Sequence, residues 1–148
     1  MSILTTLRLS NIVALIFKPK TVPTSQVIFK TYEVSTTDAT PTTIATIPIP
    51  TDSVITVTAA FTALRTGGTA GSAGDSAGGP GWVTSKNNSG TASTTTPMLD
   101  FFAPDQMGVW DVGDSVSGAN LLIQVTGAID NNIDWEVVIM IKEQIPPA

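Results

Sequence analysis

Between Ser53 and Arg65 the chain alternates with a period of two. Ile55, Val57, Ala59, Phe61 and Ala63 hold one phase, and Thr56, Thr58 and Thr62 fall in the other. A period of two sends successive side chains to opposite faces, so this segment predicts a strand with one face in a core and one in water. The same phase returns further on, where Ile133, Trp135, Val137, Ile139 and Ile141 alternate with Asp134, Glu136, Val138, Met140 and Lys142. Trp135 sits in the inward phase and is expected in the core. Val138 and Met140 interrupt the polar phase, which predicts that this outer face meets another surface. Leu121, Ile123 and Val125 form a third inward set opposite Leu122, Gln124 and Thr126. Weaker alternation predicts strands over residues 27–34, 43–49, 81–86 and 99–103.

Turn-forming clusters separate these runs: Thr51-Asp52, Asn87-Asn88-Ser89-Gly90, Gly113-Asp114 and Asp130-Asn131-Asn132. About seven or eight short strands with this punctuation, and no sustained 3.6-residue period, predict an all-β protein, an antiparallel β-sandwich or jelly-roll-like domain. The 23 threonines fit, because β-branched side chains pack well on a pleated surface.

Charge divides the chain in two. Residues 1–30 hold Arg8, Lys18, Lys20 and Lys30 and no acid, whereas residues 31–148 hold three basic and twelve acidic residues. The net −5 conceals this split. Pro19 and Pro23 mark the junction, so a basic, apolar N-terminal arm (1–30) is expected ahead of the sandwich domain (31–148). One reading packs the arm as a strand on its own domain. The other docks it on a partner or a neighbouring copy, where acidic surface would attract it. Leu4, Leu7, Arg8, Leu9, Ile12, Leu15, Phe17, Lys18 and Lys20 are the residues expected to make that contact. The apolar run from Ile12 to Phe17 is far below the roughly 20 residues that cross a bilayer, and no cleavage signal follows it, so it reads as mature sequence and no membrane is expected.

Composition removes most catalytic equipment. The chain has no cysteine and no histidine, so it lacks a thiolate, a disulfide, the commonest general base and the commonest metal ligand. The glycine-rich stretch from Thr66 to Gly81 has no lysine or arginine before Lys86 and no helical pattern after it, so it reads as a flexible hairpin loop rather than a phosphate cradle. Asp130, Asn132 and Asp134 open like a calcium-binding loop, but Trp135 stands where its glycine belongs and Ile141 where its glutamate belongs, so a hairpin turn is expected. Asp100, Asp105, Asp111 and Asp114 lie close in sequence without a sign that any is buried. Asn87-Asn88-Ser89 fits a glycosylation acceptor by chance. No catalytic residue, metal or cofactor is expected, and the acidic body excludes nucleic acid. Trp110, beside Met107 and Val109, joins Val138 and Met140 as a possible subunit-interface residue.

Several stretches, taken in order, resemble a β-sandwich domain found in structural proteins of tailed bacteriophages. They are Thr36-Thr37-Asp38-Ala39-Thr40-Pro41 and the residues following to Ile47, Arg65-Thr66-Gly67-Gly68-Thr69 continuing to Asp75, and Lys86-Asn87-Asn88-Ser89-Gly90. Val116-Ser117-Gly118-Ala119-Asn120 continuing to Gly127, and Asn132-Ile133-Asp134-Trp135-Glu136-Val137, complete the series. The resemblance implies a non-enzymatic, homo-oligomeric virion part. With about 30 residues ahead of the domain and no shaft-like heptads, it further implies a capsid decoration (cement) protein. Such a protein would be a homotrimer on the capsid surface that binds the major capsid protein. The alternative is a tail-fibre or adhesin-type module that binds a host surface glycan through the glycine-rich loop, residues 87–90 and Trp110.

Overall fold

The computed structural model describes residues 24–100, 103–104 and 110–147. Among them every regular element is a strand: β1 (Thr24–Thr36), β2 (Thr42–Pro48), β3 (Ser53–Gly68), β4 (Ser76–Asn88), β5 (Thr91–Asp100), β6 (Ala103–Pro104), β7 (Asp111–Ser117), β8 (Asn120–Thr126) and β9 (Asn131–Ile145). They form two antiparallel sheets. A six-stranded sheet runs β1-β9-β3-β4-β5 with β6 beside β4, and a three-stranded sheet runs β2-β8-β7. The all-β expectation holds, and the strands expected over 27–34, 43–49 and 81–86 lie within β1, β2 and β4, except that Ile49 lies just past β2.

The inward phases identified on the sequence meet between the sheets. Ile55, Val57, Phe61, Ile133, Trp135, Val137 and Ile139 of the large sheet are at most 2% exposed, and Leu121, Ile123 and Val125 of the small sheet are at 0%. Each such burial of a Val, Leu, Ile or Phe contributes roughly 1.5–3 kcal/mol. Gly81 admits the ring of Phe61: a Cβ there would lie 3.3 Å from the Phe61 Cε2. The Trp135 indole N–H donates to Thr36 Oγ1 at 2.9 Å, so its one polar atom is satisfied inside the core. Asp114 joins the sheets on one side, accepting from Thr94 Oγ1 at 2.9 Å and from the Met98 N–H at 2.6 Å. On the opposite side, between β1 and β2, a 280 Å³ cavity is lined by Ile28, Lys30, Ile47, Ile141 and Glu143.

One boundary moves. β1 begins at Thr24 and pairs continuously with β9 from Thr24↔Ile145 onward, so Val27, Ile28, Phe29 and Lys30 belong to the sheet rather than to an arm ending at residue 30. The boundary at residue 30 followed the run of cations, while the strand expected over 27–34 already crosses it, and an edge strand tolerates an exposed lysine. The proposed contact residues Leu4, Leu7, Arg8, Leu9, Ile12, Leu15, Phe17, Lys18 and Lys20 lie outside the described residues, as do Asp105, Met107 and Val109.

Candidate functional site

Two surfaces stand out, one at a loop end and one on a sheet face. The loop end gathers the glycine-rich connection between β3 and β4 and the turn between β8 and β9. Expected as flexible, the glycine-rich loop is instead clamped. Arg65, at the end of β3, donates from Nε to Ala70 O at 2.8 Å and to Asn131 Oδ1 at 2.9 Å, and from Nη2 to Gly68 O at 2.8 Å. The Ala70 N–H donates to Asp130 O at 3.0 Å, and the Ser72 N–H to Asp75 Oδ2 at 2.6 Å. Gly68 is required where it stands: at φ +96° a Cβ would lie 2.1 Å from Asp130 O. Arg65 was visible in the sequence only as the last cation before the loop. A planar guanidinium with five donors in fixed geometry can hold three carbonyl oxygens at once, and that is its role here.

The Asp130-Asn131-Asn132 cluster is a turn, with Asp130 at φ 58° and Asn131 N–H donating to Ala128 O, but it is not the expected hairpin: it carries the chain from β8 in the three-stranded sheet to β9 in the six-stranded one. Asp134 lies beyond it on the outer face of β9 and accepts from Ser35 Oγ at 2.6 Å. Asn87 is 1% exposed, and its amide donates to Ile49 O at 2.7 Å. That burial agrees with a chance match to a glycosylation acceptor.

The sheet face is the outer side of β1-β9-β3-β4. Cross-strand pairing sets its side chains in rows. One row reads Phe29, Met140, Thr58, Trp82, and the next reads Thr31, Val138, Ala60, Pro80. Phe29 is 69% exposed, Val27 53% and Val138 42%, an exposed apolar concentration on the edge strand β1 and its neighbour β9. Charge marks the two ends. Lys142 and Lys86 stand at the end where β9 and β4 finish, and Glu33, Asp134 and Glu136 stand at the other. Glu33 lies directly opposite Glu136 on the neighbouring strand, a like-charge pairing that disfavours the isolated sheet. This acidic end forms an open groove of 740 Å³, whose lining includes Glu33, Ser35, Thr62, Leu64, Asp134 and Glu136.

The residues expected to act together separate. Val138 and Met140 share the outer face. Trp110 does not: it is half-buried against the core, its ring centroid 6.1 Å from that of Trp135 at a 55° tilt. An inter-sheet position explains its apolar neighbourhood in sequence as well as an interface would. Likewise the glycine-rich loop and residues 87–90 lie at opposite ends of β4, so they do not form one glycan-binding cluster.

No family model matches the sequence, and no curated protein does. Solved structures with partial similarity to this chain include three phage tailspike proteins. The tailspike protein of Acinetobacter baumannii phage AM24 aligns with TM-score 0.44 at 11% identity over 78% of this chain and 26% of that one. The tailspike gp49 from Acinetobacter baumannii bacteriophage Fri1, a capsular polysaccharide depolymerase, aligns with TM-score 0.37 at 15% identity, over 86% and 21%. The tailspike of Acinetobacter phage vB_ApiP_P1 aligns with TM-score 0.28 at 18% identity, over 76% and 20%. This chain thus spans about a quarter or less of each tailspike's length. The expectation of a non-enzymatic protein is withdrawn on this finding, because one of the three structures is an enzyme.

Proposed function

We propose that the protein is a bacteriophage virion part of the tail-fibre or adhesin type, whose loop end binds a host surface glycan. The observation that carries this reading is the clamped glycine-rich loop. A loop held by Arg65 through three carbonyl and amide oxygens has already lost the conformational freedom that binding would otherwise remove. Its surface suits sugar hydroxyls: Thr66, Thr69, Ser72 and Asn132 are exposed polar side chains, and Ile129, 69% exposed, supplies an apolar contact beside them. The order of the two sequence-based readings is therefore reversed, with shell decoration second.

The test has two arms. Purified full-length protein is expected to adsorb to host cells and to be displaced by the host's isolated surface polysaccharide. Arg65→Ala should weaken adsorption about tenfold by releasing the loop. Particles carrying a label on this chain should show it in few copies at the tail. Labelling over the whole head, with adsorption unaffected by Arg65→Ala, replaces this reading with capsid decoration through the major capsid protein.

A further inference from the structure

We propose that the outer face of the six-stranded sheet is an isologous interface between two copies of this chain. In it the strands of the two copies run antiparallel across a two-fold axis. This goes beyond the loop-end reading and does not depend on it. The face is apolar in its middle rows and opposite in charge at its two ends, a pattern that complements itself in one orientation.

Consider a two-fold axis lying in the interface, perpendicular to the strands and passing between the Met140 row and the Val138 row. It carries each strand over its own copy and exchanges the two ends. Met140 then faces Val138, Trp82 faces Pro80, and Lys142 faces Glu136. An axis along the strands would instead set Glu33, Asp134 and Glu136 against their own copies, which like-charge repulsion opposes. Charge therefore selects the antiparallel arrangement, and a closed two-fold contact needs only one self-complementary patch.

The acidic groove gives a second reason. Glu33 and Glu136 face each other on adjacent strands with Asp134 close by. A long cationic side chain from outside would relieve this repulsion, and the two-fold brings Lys142 of the second copy to that end. The exposed Phe29, Val27 and Val138 are covered by the same movement. The opposite surface of the domain offers a smaller patch: on the outer side of the three-stranded sheet the half-buried Leu122 stands among Thr43, Thr46, Gln124, Thr126 and Ser115.

Sedimentation of the full chain is expected to show a concentration-dependent monomer–dimer equilibrium whose dissociation constant rises at high salt, as end charges are screened. Val138→Asp should raise that constant at least about a hundredfold while leaving the thermal midpoint of the dilute protein unchanged. Lys142→Glu and Glu136→Lys should each weaken self-association about tenfold or more. Mixing these two single variants should restore a mixed dimer, since each chain then offers the charge the other lacks at both ends. A chain that stays monomeric at high concentration, or dimerises undisturbed by Val138→Asp, overturns the interface. Single variants that dimerise normally, or a mixture that does not recover, overturn the antiparallel two-fold. Circular dichroism of each variant separates loss of contact from loss of fold.

Discussion

The two outer faces of this sandwich come from one polypeptide with one kind of strand, yet they have opposite characters. On the three-stranded sheet the outward positions include Thr43, Thr46, Gln124, Thr126 and Ser115, polar side chains that water can satisfy, around one half-buried apolar residue, Leu122. On the six-stranded sheet the outward rows run through Phe29, Met140, Val138, Ala60, Pro80 and Trp82. Alternation alone does not distinguish these cases, because both faces alternate with a buried partner phase. The difference lies in what fills the outward phase. Threonine makes a face that is finished when the chain folds, and exposed large apolar side chains make one that still has surface to bury.

Neighbouring residues on β9 offer the strongest test of this contrast. Val137 is 0% exposed and Val138 42%. Val137→Asp places an unpaired carboxylate in the core and is expected to destabilise by about 4 kcal/mol or more, enough to unfold the domain. Val138→Asp should stay within about 0.5 kcal/mol for the dilute monomer. Urea denaturation at low protein concentration measures both, and comparable losses at the two positions would abolish the distinction between inner and outer face.

Smaller effects sharpen it. Arg65→Ala removes hydrogen bonds from a charged donor to the loop and should cost about 2 kcal/mol, with faster amide exchange at Ala70 as the local readout. Unchanged exchange there would mean that the loop holds its form without the arginine. Glu136→Gln relieves the pairing with Glu33 and should raise monomer stability by a few tenths of a kcal/mol, while weakening self-association. The smallest change is expected from Thr46→Lys on the finished face, which should alter neither denaturation midpoint nor sedimentation. A shift in sedimentation would reveal a contact on the wrong sheet.

Most of the fold was legible because β3, β8 and β9 each bury one phase along most or all of their length, and burial is what alternation records. Val138 and Met140 announced the unfinished face for the same reason, as apolar residues in the phase that should be wet. The arm boundary at residue 30 cut through the strand expected over 27–34, and past Phe29, because it followed the cations, and a single lysine on an edge strand says little about where a sheet begins. The clamp was hidden for a different reason. Glycine and small residues signal freedom locally, but the partners that remove it, Arg65 and Asn131, lie 66 residues apart. Trp110 misled because an apolar residue near a loop looks alike whether it packs between sheets or against another molecule.

The position of β9 has a consequence in time. It is the last described strand of the chain, yet it lies between β1 and β3 and pairs with both along most of its length. During synthesis, β1 and β3 must wait with open edges until residues 131–145 have left the ribosome, because the strand that joins them does not yet exist. Closing such distant pairings is slow, since the whole intervening loop must be ordered at once. An unfinished chain therefore exposes edges able to pair with other unfinished chains. Release of the last fifteen residues of the sheet ends that exposure in one step.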